Sequence, residues 1–385
     1  MGTLSREELL RKIHKIGAEV IRPAAASVDK EARFPREAFE ALRAEKMLSV
    51  YVPEQFGGIG CSYADLAAIC TALGQYCGST AMIFAMHQIQ VACIVRHGNT
   101  PYFQGYQREL VEKQLLMGSA TTEEGIGGDV RTSSCHVARD GDSFVLEKKA
   151  PVISYGEEAD EILVTARRGP DAASSDQSLV LVRKGDTVLE RTHTWDTMGM
   201  RGTCSLGYML KAKGHVDQIL PVPYADLSAQ TMHAVSHTLW TSLWLGIATD
   251  AVNQARAYIR AEARKKPGTV PPGAFRLAEL VVELQSMRQG VQGATRDYIE
   301  IMDDRDALSG PSFTIRMNNL KIAASRQLVR LCADALQIVG ITGYKADSKY
   351  SLARQLRDAY GAPLMIANDR ILGNNSTLLL VAKDE

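Results

Sequence analysis

Met117-Gly118-Ser119-Ala120-Thr121-Thr122-Glu123-Glu124-Gly125-Ile126-Gly127-Gly128-Asp129 is the stretch at which the chain changes character. Upstream, apolar residues recur at helical spacing; downstream they fall into short runs rich in Val, Leu and Ile. Four glycines lie between positions 118 and 128. Glycine admits positive φ and lets a backbone approach a ligand closely. Thr122, Glu123 and Asp129 add hydroxyl and carboxylate groups that orient a polar ligand or cap a turn. Taken alone, the segment is a helix-to-strand connection. Its neighbours along the chain give it a functional reading.

Before it, Glu7 to Ile21 reads as a helix ended by Pro23, and Arg36 to Leu48 as a second. Pro53-Glu54-Gln55-Phe56-Gly57-Gly58-Ile59-Gly60 breaks the pattern. Tyr63 to Tyr76 and Thr80 to His97 resume it, the latter apolar almost all round, as a buried helix is. After it, His136–Ala138 and Ser143–Leu146 flank an Asp-Gly turn and read as a hairpin. Residues 161–166, 178–182 and 206–210 read as further strands, with 169–177 an exposed loop. The last 160 residues or so return to long helices, with Leu277 to Ile301 and Ile315 to Val339 keeping three- and four-residue spacing. The expected fold class is α+β, mainly α. An N-terminal helical domain (1–118) precedes a middle β domain of barrel or sandwich form (119–225) and a C-terminal four-helix bundle (226–385).

Composition narrows the function. Lysine plus arginine balance aspartate plus glutamate at 44 each, which gives no electrostatic case for nucleic acid or an anionic membrane. The apolar run from Ala81 to Val95 is too short to span a bilayer. The N-terminal ten residues are polar, unlike a secretory signal, and seven cysteines without C-x-x-C spacing suit reduced thiols. A soluble cytoplasmic protein is expected. No P-loop, G-x-S-x-G, H-E-x-x-H or G-x-G-x-x-G after a strand is present, and no metal site is expected.

Five segments in order resemble the acyl-CoA dehydrogenase family over nearly the whole chain. Residues 53–60 look like its N-terminal glycine signature, and Thr122 to Asp129 like its T-E-P-G-A-G-S-D element. Trp195-Asp196-Thr197-Met198-Gly199-Met200-Arg201-Gly202-Thr203 matches W-x-x-x-G-x-R-G-T. Gln337 to Tyr344 is similar to Q-x-x-G-G-x-G-Y, and Arg357-Asp358 to its R-D pair. The resemblance implies an FAD-type flavoprotein, a homotetramer, whose flavin ring lies between the β domain and the bundle. It places Thr122, with Thr121, Gly127 and Gly128, along the ring's pyrimidine side, and Ser154, after Ile153, beside flavin N5. A hydroxyl there can donate or accept, and donors at the pyrimidine edge stabilise the reduced anion. An ordinary strand-end hydroxyl is the competing reading of Ser154. Arg264, Gln337 and Gly340 fall where the family holds the ADP half of FAD.

The chain departs from the family at the catalytic base. The usual glutamate, nine residues after the R-D arginine, is Ile366, and the alternative slot ten residues before Gly246 is Ser236. Asp369 is the nearest acid and the candidate base; a salt bridge with Arg370 or a helix cap explains it equally. His87 is a second catalytic candidate, since His87 and Gln90 could line a substrate pocket from a buried helix; a satisfied core histidine is the competing reading. Ser236, His237 and Met365 complete the expected substrate lining. Gly128 and His237 stand where the family has a serine and an arginine that hold the acyl-CoA.

Three functions follow. The first is α,β-dehydrogenation of an acyl thioester of CoA or a carrier protein, with hydride transfer to flavin N5 and an electron-transfer flavoprotein as partner. The second is a monooxygenase or oxidase in which reduced flavin, FMN or FAD supplied by a separate reductase, meets oxygen through a C4a-(hydro)peroxide. The third is a catalytically silent binding subunit, against which Thr122 and Ser154 argue. Loss of both glutamates favours the second.

Overall fold

The computed structural model describes residues 4–127 and 129–382. Its first element, α1 (Arg6–Ile16), starts at a capping box in which Ser5 and Glu8 satisfy each other's backbone N–H. A π turn, Gly17–Ile21, carries it directly into α2 (Arg22–Lys30). Pro23 therefore lies inside a continuing helical run where the sequence reading ended one: the π turn, in which Arg22 N–H bonds the Gly17 carbonyl, accommodates a residue with no N–H to donate. α3 (Arg36–Ala44), α4 (Tyr63–Gly74), α5 (Gly78–His97) and α6 (Pro101–Lys113) complete the N-terminal helices. α5 is longer than the apolar run suggested, and long and apolar enough to cross a membrane, yet 89% of that window is buried inside the protein. It is a core helix.

Two small sheets follow. β1 (Met117–Ala120), β4 (Glu161–Arg167) and β5 (Gln177–Arg183) form one in the order β1-β4-β5, with β1 and β4 parallel. β2 (Ala138–Asp140), β3 (Ser143–Ile153), β6 (Thr187–His193) and β7 (Leu206–His215) form the other, antiparallel, in the order β2-β3-β7-β6. The Asp-Gly hairpin is present, with Gly141 at φ 57°. β6 is absent from the sequence reading because its charged, largely exposed edge lacks apolar alternation.

The C-terminal helices are α7 (Tyr224–Leu227), α8 (His233–Lys265), α9 (Ala274–Ile301), α10 (Arg305–Ser309), α11 (Pro311–Val339), α12 (Ile341–Tyr344), α13 (Ala353–Gly361) and α14 (Asn368–Leu378). Three long helices, α8, α9 and α11, make the bundle, and α13 and α14 pack on α11. α8 also crosses α4 at two glycines. A Cβ on Gly246 would stand 2.3 Å from the Thr71 carbonyl, and one on Gly74 would stand 2.3 Å from that of Leu243. Gly246-Ile247-Ala248 thus serves a close helix crossing that joins the N-terminal helices to the bundle. The R-D pair is also structural. Buried Asp358 accepts a 2.6 Å bond from Met200 N–H, and a Cβ on Gly199 would meet the Arg357 carbonyl. Arg357 pairs with Asp29, and Arg201 donates to the Asp29 carbonyl, tying all three regions together.

Candidate functional site

The glycine loop after β1 is anchored by its glutamate. Glu123 is buried and accepts from Ser133 Oγ (2.6 Å), Ser134 N (3.0 Å) and Cys135 N (2.8 Å), with Lys148 Nζ at 3.3 Å. Burial alone would raise its pKa; the Ser133 bond, Lys148 and the amide donors outweigh it, so the carboxyl titrates low. Beyond it Gly125 and Gly127 take φ of 90° and 60° in open space, and Arg370 of α14 donates to the Gly127 carbonyl. Gly128 lies outside the described residues.

Thr122 and Ser154 meet at one irregularity of the sheet. The β3–β7 register shifts between Ala150 and Ile153, and Thr122 Oγ1 donates to the Val152 carbonyl within that bulge (3.0 Å). Two residues on, Ser154 Oγ lies 2.8 Å from Ser205 Oγ, which lies 2.7 Å from Thr203 Oγ1; Thr203 in turn donates to the Met200 carbonyl (2.8 Å). A carbonyl only accepts, and each hydroxyl has one proton. Thr203 spends its proton on Met200, so Ser205 donates to Thr203 and Ser154 to Ser205. Both Thr122 and Ser154 are left as acceptors. Donation to the pyrimidine edge, expected of Thr122, is thereby replaced by acceptance. Two acceptors flanking an open glycine loop suit the N–H groups of a flavin ring, most fully those of its reduced form, so the residues fit that cofactor. Ile153 is core, and Thr121 contributes its carbonyl, 3.4 Å from Thr165 Oγ1.

His87 is corrected. Its ring is fully buried; Nε2 donates to the Leu48 carbonyl (2.7 Å) and Nδ1 accepts from Met117 N–H (3.0 Å). Burial pushes it down to about 4. Both nitrogens are spent on main chain, so the ring pins α5 to β1 and has no lone pair for catalysis. It does not join Gln90, whose Nε2 approaches the carbonyl of Met86, in its own helix, at 3.5 Å and whose buried Oε1 has no partner among the described residues.

Asp369 stands exposed in the first turn of α14, while its neighbour Asn368 turns inward. Lys321 of α11, fully buried, donates to the Ile366 carbonyl (2.6 Å) and to Asn368 Oδ1 (2.8 Å). Ile366 itself sits at φ 52°. The carbonyl of the expected loop slot, Ile366, and the side chain next to Asp369 are therefore tied to an ammonium group that burial lowers to about 8. Met365 is half-buried beside them. The second slot is also spent: Ser236 Oγ donates to the Met232 carbonyl at 2.5 Å.

His237 is the notable member of the expected set. His233, His237, Trp240 and Trp244 recur at helical spacing on one stripe of α8, nine residues and half a rotation from the Gly246 crossing for His237. Asn318, Lys321 and Ser325 form the matching stripe of α11. His233 Nε2 donates to Asn318 Oδ1 (2.9 Å), Asn318 to Asn375 Oδ1 (2.7 Å), and Asn375 to Asn319 Oδ1 (3.0 Å). Lys321 Nζ lies 6.0 Å from the Trp244 ring centroid. Apart from His237, none of these residues was singled out from the sequence. Polar residues recurring on the buried faces of long helices were the available signal.

Arg264, Gln337 and Gly340 are exposed at the far end of the bundle, where Gly273 sits between Ile259 and Ile338. Arg264 is 27 residues along α8 from His237, roughly 40 Å at 1.5 Å per residue.

Residues 3–113 match the family model for the acyl-CoA dehydrogenase N-terminal domain, and residues 229–365 that for its C-terminal domain. The chain belongs to the acyl-CoA dehydrogenase family. This member is a flavoprotein oxidoreductase. Cyclohex-1-ene-1-carbonyl-CoA dehydrogenase of Syntrophus aciditrophicus is 26% identical over 93% of this chain and 86% of its own length. Among solved structures, dibenzothiophene monooxygenase (TdsC) of Paenibacillus sp. A11-2 superposes with TM-score 0.83 at 18% identity, covering 98% of each chain. Butyryl-CoA dehydrogenase of Megasphaera elsdenii does so with TM-score 0.82 at 20% identity, covering 99% of this chain and all of its own. These two likenesses concern the fold of this acyl-CoA dehydrogenase relative, and that fold hosts both chemistries.

Proposed function

We propose that this chain is a flavin-dependent monooxygenase built on the acyl-CoA dehydrogenase fold, using reduced flavin and oxygen. One observation carries the reading: where thioester dehydrogenation requires a carboxylate, Lys321 holds the Ile366 carbonyl and Asn368. A buried ammonium is a poor neighbour for α-proton abstraction, because the step needs an unprotonated base facing the substrate. A positive charge and neutral donors instead stabilise negative charge on oxygen. A bound reduced flavin would supply the activation of oxygen. The chain's own residues would hold it: Thr122 and Ser154 are free to accept its N–H groups, and the Gly125–Gly127 turn leaves open space beside them.

The exposure of Arg264, Gln337 and Gly340, with Arg264 roughly 40 Å along α8 from His237, supports reduced FMN or FAD delivered by a separate reductase over an FAD held within one chain. Binding of the ADP half across a homotetramer interface is the alternative use of these residues. The curated relative's name favours a second reading, dehydrogenation of an acyl thioester with an electron-transfer flavoprotein as acceptor, and exposed Asp369, three residues past the loop slot, is its candidate base. Anaerobic titration of the oxidised flavin-loaded protein with a panel of acyl-CoA and acyl-carrier thioesters decides between them. Flavin absorbance stays unchanged under the monooxygenase reading; bleaching that is lost in Asp369→Asn would establish the dehydrogenase.

A further inference from the structure

Three nitrogens on one face of α8 have no hydrogen-bond partner among the described residues: His237 Nε2, Trp240 Nε1 and Trp244 Nε1. Their side chains are 3%, 8% and 0% exposed, so water does not replace the missing partners freely. Buried polar groups are nearly always paired, and three orphans along one stripe call for a ligand. The state of the imidazole follows from its other nitrogen. Nδ1 lies 2.8 Å from the His233 carbonyl, which only accepts, so Nδ1 carries the proton. Burial, then His233 and Lys321 nearby, keep the ring neutral at pH 7. Nε2 therefore presents a bare lone pair, whereas the indole nitrogens one and two turns further along the same stripe present N–H groups. The imidazole and Trp240 rings stand 6.0 Å apart, tilted by 37°, and form an aromatic wall.

From this geometry we infer that His237 is a specificity-determining residue, accepting a hydrogen bond from an O–H or N–H carried on a flat aromatic substrate. The indole N–H groups take acceptor atoms of the same molecule. The inference rests on the reading of this site as the substrate site, and it deepens that reading by naming a substrate class. An aliphatic acyl chain offers the lone pair nothing, and an aromatic ether leaves it unpaired.

The test uses phenol and anisole on the purified, flavin-loaded full chain, with affinities from ligand-observed NMR titration. Phenol is expected to bind at least tenfold more tightly than anisole, and His237→Phe, which keeps the ring, to bring the two within about twofold. Selective ¹⁵N-histidine labelling provides a second readout that needs neither ligand nor turnover: His237, assigned by its loss in His237→Phe, should show protonated Nδ1 and bare Nε2 at pH 7. Equal affinities in the native protein, no binding of either probe, a preference retained in His237→Phe, or a protonated Nε2 would each overturn the inference. A phenol preference lost in His237→Phe supports it even where acyl-CoA titration bleaches the flavin, so this proposal and the monooxygenase reading fail separately.

Discussion

Replacing Lys321 with methionine tests the ammonium that displaces the expected carboxylate. The native side chain makes two charge-assisted bonds, to the Ile366 carbonyl and Asn368 Oδ1. Such bonds contribute about 1.5–3 kcal/mol each, so their loss costs about 3–6 kcal/mol. Against this stands the cost of burying the charge. A fall from 10.5 to about 8 corresponds to about 3 kcal/mol at full burial, and to about 2 kcal/mol once solvent screening is allowed for. Lys321→Met should therefore lose about 1–4 kcal/mol at pH 7.5 by urea denaturation. The pH dependence is the sharper signature. Between pH 8 and 10.5 the unfolded chain holds more protons at this lysine than the folded one, so native stability rises with pH in that window and the penalty is fully present below it. Methionine does not titrate. The native-minus-variant difference should grow by about 1 kcal/mol from pH 7.5 to 9.5, other titrating groups cancelling. A difference that stays flat or shrinks would refute the placement of a buried, protonated Lys321 at the loop.

Ser205→Ala breaks the hydroxyl chain and returns a donatable proton to Ser154. It should lower the preference for reduced over oxidised flavin by about tenfold, the worth of one hydrogen bond, in anaerobic and aerobic binding titrations. Burial raises Asp358 to about 6, so its carboxyl holds its proton more tightly when folded and native stability falls as pH rises from about 4 to 6. Asp358→Asn should lack that fall when thermal midpoints are compared across pH 4–7. Gly246→Ala places a Cβ 2.3 Å from the Thr71 carbonyl and should cost about 1–3 kcal/mol or more in denaturant unfolding.

The order of helices, small β region and helical bundle is legible in the sequence because long periodic runs such as Leu277–Ile301 and Val-rich strands such as 178–182 carry strong signals. What escaped depends on tertiary partners. Pro23 looked terminal because a π turn, which begins at Gly17 where the Tyr76 ring leaves no room for a Cβ, is invisible to periodicity. β6 is held by β7 and not by its own alternation. In the site, Thr122 and Ser154 could be placed by motif, but the direction of their hydrogen bonds required Thr203 and Ser205 on another segment. His87 and His237 carry the same side chain on apolar helices. Only the carbonyls and amides facing them separate a histidine with two satisfied nitrogens from one with a bare lone pair. Lys321 was hidden in an apolar stripe, and its bonds to the Ile366 carbonyl and Asn368 occupy the loop slot, while Ser236 at the other slot is spent on the Met232 carbonyl.

The most direct test of the central claim is rapid mixing of the anaerobically reduced, flavin-loaded protein with oxygenated buffer, followed across the flavin absorbance spectrum. The monooxygenase account predicts a species that persists for seconds or longer and differs spectrally from both reduced and oxidised flavin. Direct return to oxidised flavin with no such species, together with bleaching by an acyl thioester, would contradict it.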